Sequence, residues 1–221
     1  MLYKAEDLIR SVRVTLDENR TENEYISSED NNMELNEIIR EKLLYAVRSV
    51  LEAAPLELTG CKPLEIPEAA QYKENDGQGY IVLPPDFLRL TLFKLRSWRC
   101  PVYGTYTENS DKARMQDNAF TRGTPIRPVC VLSHDLKGNK ILRYYIAGYE
   151  NNGKYNRRDH RIDRALYISI PEWEGESNDE IDFDPLLREA IINYTAALVM
   201  VTRKDPNAAE SFFKIANSYL Q

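Results

Sequence analysis

The segment Gly79-Tyr80-Ile81-Val82-Leu83-Pro84-Pro85-Asp86-Phe87-Leu88-Arg89-Leu90 restricts this chain more than any other. An apolar run is stopped by two prolines and an acid, and a second apolar run follows. Proline has no N–H to give to a sheet ladder, and it disfavours helical geometry in the residue before it. The segment predicts a strand that is halted and redirected. No catalytic group lies in it. It falls between two helical blocks, so it is the expected opening of a β-rich insertion. Pro84, Pro85 and Asp86 are then a structural hinge where the chain leaves the helical body.

The helical blocks show in their periodicity. Leu8, Ile9, Val12 and Leu16 share one face of a helix predicted from Ala5 to about Leu16. Leu35, Ile38, Ile39, Leu43, Ala46, Val47, Val50, Leu51 and Ala54 make an unbroken apolar stripe that ends at Pro55. Asn31 with Glu34 resembles a capping box at its start. Between the two helices, residues 17 to 32 are almost wholly polar and long for a loop, so the segment is expected either to be mobile or to bind something. Near the C-terminus, Asp184-Pro185 and Asp205-Pro206 each place a capping acid before a proline at the first helical position. Leu186 to Val201 and Ala208 to Tyr219 then carry apolar faces, joined by a link short enough for a helical hairpin.

Residues 56 to 171 change character. Prolines, tyrosines and short apolar runs dominate. The predicted strands are Gly79–Leu83, Leu88–Arg99, Val129–Leu132, Ile141–Tyr149 and Ala165–Ile170. His134 to Asn139 reads as the turn of a hairpin. The fold class is therefore α+β: a helical bundle from segments 1–55 and 172–221, with an inserted antiparallel β domain at 56–171.

Composition narrows the function classes. The chain has 221 residues, 43% apolar and 29% charged, enough for a real core. No apolar run reaches the roughly 20 residues that span a bilayer, so no membrane role is expected. Acids near the N-terminus argue against a signal peptide. Three cysteines, Cys61, Cys100 and Cys130, have neither metal nor redox spacing and read as ordinary thiols. A net charge of −6 opposes a phosphate-gripping protein, although an acidic chain can hold a local basic patch or line a channel through which DNA slides.

The catalytic search returns nothing. His134 beside Asp135 could support a general base, but no nucleophile or oxyanion site accompanies it. Asp179, Glu180, Asp182 and Asp184 lack the glycine and the twelfth-position glutamate of a calcium loop, and fit an acidic lead-in to a helix. No glycine-rich phosphate loop exists. No cofactor or metal is expected, and no enzyme. Two surfaces remain. Trp98 between Arg96 and Arg99 fits an interface hot spot, or a tryptophan capping the sheet. The basic loop 154–161, with Tyr155, Arg157, Arg158 and Arg161, can contact nucleic acid by charge and stacking, pair with an acidic neighbouring subunit, or stay solvated. Many of the 14 tyrosines fall in the insertion, as suits half-buried partner surfaces and sheets alike.

Three of these pieces together resemble a known family. Glu6-Asp7-Leu8-Ile9 with Val12-Arg13-Val14 is similar to the opening helix of the head–tail connector (adaptor) proteins of short-tailed bacteriophages. Gly79 to Leu90 resembles their leucine-proline-acid-phenylalanine-leucine-arginine turn into the sheet, and Leu186 to Leu220 their closing helices. The overall style looks like ring proteins of the crAss-like phages. The resemblance implies a structural virion protein at the head–tail junction, made in the host cytoplasm. It implies a homo-oligomeric ring, typically a dodecamer, with the portal protein on one side and downstream tail proteins on the other. Double-stranded DNA would pass through without sequence-specific binding. Because the last helix runs to Leu220, a C-terminal portal clasp is not expected, and portal contact falls to 17–32 or the long loops. The competing expectation is a phage DNA-binding or DNA-end-handling protein that uses loop 154–161.

Overall fold

The computed structural model describes residues 1–18, 29–67, 71–73, 78–118, 120–145, 160–175 and 179–221. In chain order the elements are β1 (Leu2–Lys4), α1 (Ala5–Glu18), α2 (Glu29–Ala53), β2 (Lys62–Pro63), β3 (Gln71–Lys73), β4 (Gln78–Val82), β5 (Phe87–Leu95), β6 (Tyr106–Thr107), α3 (Asp111–Arg114), β7 (Cys130–His134), β8 (Lys140–Tyr145), β9 (Ile162–Ser169), β10 (Glu180–Asp182), α4 (Arg188–Thr202) and α5 (Pro206–Ser218). The fold is mixed α+β, and its sheets are antiparallel except where β6 joins β7 in parallel. The chain forms two compact units, Met1–Gly60 with Ile170–Gln221, and Cys61–Ser169.

In the first unit, α4 is buried nearly all round. Ala190, Ile191, Ile192, Asn193, Thr195, Ala196, Ala197, Val199 and Met200 are all buried. A helix apolar on every side needs neighbours on every side. α1, α2 and α5 each pack on it. Its buried polar groups are satisfied locally: Thr195 Oγ1 donates to the Ile191 carbonyl at 2.7 Å, and Asn193 Nδ2 to the Glu189 carbonyl at 2.8 Å. Leu8, Val12 and Leu16 from α1 and Ile39, Leu43 and Val50 from α2 are fully or almost fully buried, as their spacing predicts. The capping signals act as read: Asp184 accepts from the Leu186 N–H at 2.8 Å, and Asp205 from the Ala208 N–H at 3.0 Å. The start of α2 differs. The helix begins at Glu29, so Asn31 lies inside it and is not its N-cap.

The second unit holds two sheets, a three-stranded one in the order β2-β9-β5 and a five-stranded one in the order β3-β4-β8-β7-β6. One buried cluster draws on both: Ile81, Cys130, Leu142 and Tyr144 from the larger sheet, and Phe87, Leu90, Phe93, Leu95 and Tyr167 from the smaller. Each such apolar side chain contributes about 1.5–3 kcal/mol by leaving water. β7 and β8 form the expected hairpin. Its turn is held by Asp135, which accepts from the Lys137 and Asn139 N–H groups, both at 2.8 Å.

The hinge expectation for Pro84, Pro85 and Asp86 needs correction. β4 before them belongs to the five-stranded sheet and β5 after them to the three-stranded sheet. The prolines turn the chain from one sheet to the other inside the second unit, and the Phe87 N–H closes the corner on the Pro84 carbonyl at 3.1 Å. The chain passes between units elsewhere, at Gly60–Cys61 and Ser169–Ile170. Asp86 accepts a hydrogen bond from the Tyr167 hydroxyl at 2.9 Å, which ties the corner to β9.

Candidate functional site

The register of β5 against β9 builds a charged surface on the second unit. Alternation along each strand sends Phe93, Leu95 and Ala165 to the core and leaves Lys94 and Arg164 on the other face. Lys94 and Arg164 are direct Cα partners across the ladder. Asp163 stands beside them and accepts from Lys94 Nζ at 2.7 Å. That hydrogen bond, reinforced by the charges of Lys94, Arg96 and Arg164, holds the Asp163 carboxyl below its ordinary range. Three cations thus share one carboxylate. Next to them an open groove of about 400 Å³ runs along β2 and β9, with Pro63, Ile66, Ile162 and Leu166 in its wall.

Three of the expected interface residues, Arg96, Arg99 and Arg161, are exposed. Arg96 is exposed, and its N–H donates to the Arg161 carbonyl at 2.9 Å, which brings Arg161 to the same edge. Arg99 is exposed, and its N–H donates to the Pro125 carbonyl at 2.8 Å. Trp98 overturns its interface expectation. It is only 2% exposed and meets Phe93 edge-on at 5.6 Å between ring centroids. The turn after β5 rolls it into the core, so it offers no surface to a partner. Tyr155, Arg157 and Arg158 lie outside the described residues, as does most of loop 154–161. Lys94, Asp163 and Arg164 were missed in the sequence. The alternation in Leu92-Phe93-Lys94-Leu95-Arg96 hints at an outward basic edge, but only the pairing with β9 assembles the cluster.

Charge is sorted between the units. Cys61–Ser169 holds 18 Lys and Arg against 12 Asp and Glu, whereas the rest of the chain holds 11 against 23. The overall −6 conceals this division.

Asp135, Tyr144 and Cys130, elsewhere in the second unit, are tied into a turn or the core. Asp135 accepts three hydrogen bonds within the turn, including one from Asn139 Nδ2 at 2.9 Å, which lower its pKa and commit it to the hairpin. Tyr144 accepts from Gln71 Nε2 at 2.8 Å and lies 3.4 Å from His160 Nδ1. Burial pushes its phenol up to about 12, against the opposing pull of the Gln71 hydrogen bond. Burial also pushes the Cys130 thiol well above its usual range, so it is not a ready nucleophile. Among the described residues no group of His, Cys, Asp and Glu is placed to hold a metal ion, and no helix is long and apolar enough to cross a membrane. No protein-family model matches the chain, and no curated protein matches its sequence.

Proposed function

We propose that this chain is a structural subunit of a viral head–tail connector, assembling into a ring between the portal and the tail and continuing the DNA channel. The observation that carries the reading is the division of the chain. Its two ends lie in one compact unit that carries α1, α2, α4, α5 and the short β1–β10 pair, and its middle forms a second compact unit rich in strands. That is the layout implied by the resemblance of Glu6–Val14, Gly79–Leu90 and Leu186–Leu220. On this reading the terminal segments form the helical bundle of each subunit. The unequal charge of the two units supports it further, because a ring is built from unlike faces meeting head to tail. Native mass spectrometry of the purified protein with its portal, and electron microscopy of virions, test the reading. Rings and portal complexes are expected. A strictly monomeric protein absent from virions would sink it.

A second reading is contact with DNA through loop 154–161, favoured by the surplus of cations in Cys61–Ser169. Replacing Arg157, Arg158 and Arg161 should then abolish a salt-sensitive affinity for duplex DNA. Absence of that affinity in the unaltered protein removes the idea.

A further inference from the structure

Two like-charged pairs stand where stability alone disfavours them, and their signs are opposite. Lys94 and Arg164 face each other directly across the β5–β9 ladder, a placement that costs a sheet stability. Asp163 relieves it only in part, one carboxylate among three cations. On α2, Glu37 and Glu41 are both exposed four residues apart, the spacing at which like charges repel along a helix. Neither has an ion-pair partner among the described residues. The same exposed stripe continues into Tyr45, a large aromatic residue 62% exposed. Breaches of local rules of this kind are expected where a surface serves something other than the fold of its own chain.

We propose that these two faces meet between copies of the chain. Glu37 and Glu41 of one copy pair with Lys94, Arg96 and Arg164 of the next, and Tyr45 seats in the groove between Ile66, Ile162 and Leu166. Charge complementarity identifies the occupant. The chain itself supplies a strongly acidic unit for its basic one, in equal numbers. The two faces are unlike, so a head-to-tail contact uses one face of each copy and leaves the other free for another. Duplex DNA is the competing occupant of the basic face. It would meet the Asp163 carboxylate there, on a chain whose net charge of −6 repels a polyanion at long range, and it gives the Glu37–Tyr45 stripe no role. Closure into a ring rests on the connector reading; the contact itself does not.

Sedimentation velocity of the full chain in about 50 mM and about 500 mM salt tests the contact, because screening at the higher salt removes most of the attraction. Association is expected at low salt, with dissociation at high salt. The variants K94E/R164E and E37K/E41K should each be monomeric, and Y45A should associate at least several-fold more weakly. Mixing the two charge-reversed variants one to one should restore association, since both joints then bring opposite charges together. That recovery also shows that each variant is folded. The proposal is overturned by a parent chain that is monomeric throughout, by variants that assemble like the parent, or by a mixture that stays monomeric while both circular dichroism spectra match the parent. It is overturned as well if K94E/R164E loses duplex DNA binding with self-association unchanged. Rings in virions that survive the charge reversals would remove this contact and spare the connector reading. Salt-sensitive association without any portal or virion partner would do the reverse.

Discussion

The ring of Tyr144 lies flat over Gly79, its cross-strand partner in the β4–β8 ladder. A Cβ built on Gly79 would stand 2.5 Å from both the Cζ and the hydroxyl oxygen of Tyr144. The glycine is there because the ring occupies the space of a side chain. The same ring position lets the phenol reach across β4 to Gln71 on β3, at 2.8 Å.

Gly79→Ala should therefore destabilise the second unit by about 1–3 kcal/mol, the usual range for overfilling a packed interior. Urea unfolding followed by tyrosine and tryptophan fluorescence checks this. In a Tyr144→Ala background the same substitution should cost far less, because the obstructing ring is gone. Equal costs in the two backgrounds would mean that the close approach is not what excludes a side chain.

The joint between α4 and α5 predicts two substitutions of opposite sign. Lys204 has φ of +63°, a left-handed conformation. The Asp205 N–H reaches back to the Met200 carbonyl at 3.0 Å, and the Lys204 N–H to the Val201 carbonyl at 3.1 Å. This is the Schellman ending that glycine normally supplies. Lys204→Gly should stabilise by about 0.5–1 kcal/mol, the relief of left-handed strain less the added freedom of the unfolded chain. Asp205→Ala removes the carboxylate that caps α5 and should cost about 1 kcal/mol. Thermal melts of the two variants should move apart from the parent in opposite directions.

Alkaline pH should weaken the protein through Tyr144. Its phenol rises from 10.0 in the open chain to about 12 in the fold, chiefly by burial. Below pH 10 the phenol is protonated in both states and its contribution is fully present. Between 10 and 12 the unfolded chain has lost the proton and the folded chain keeps it, so stability falls as pH rises, by about 1.4 kcal/mol per pH unit for one such group. Denaturation midpoints measured across this window should show the decline. Tyr144→Phe should flatten part of it, and an unchanged slope would assign the loss to other groups.

The parts that were legible in the sequence are those written in periodicity and caps. The stripes of α1 and α2 mark buried faces because a helix repeats its contacts every turn, and Asp184 and Asp205 cap helices because a short acid before proline has little else to do. The longer strands were found with their ends displaced by a few residues: β5 stops at Leu95, not Arg99, because a turn carries Trp98 inward. The pairs that needed a distant partner were hidden. β1 lies against β10 from the far end of the chain, and β6 joins β7 in parallel; β1, β10 and β6 have only two or three residues, too few to show alternation. The cluster of Lys94, Asp163 and Arg164 was hidden for the same reason. Each strand shows a charge, but only the register brings together groups some seventy residues apart.

The strand by which the chain enters the second unit is hydrogen-bonded to the strand by which it leaves, with Lys62 opposite Tyr167 and Pro63 opposite Leu166. Direct partners of this kind stand only about 4.5–5.5 Å apart. The unit is therefore a cassette with a single narrow neck. A short glycine linker should bridge the gap left in the helical unit if residues 61–169 are excised. Conversely, the two ends of such an insertion ask only for a narrow gap in the chain that receives it.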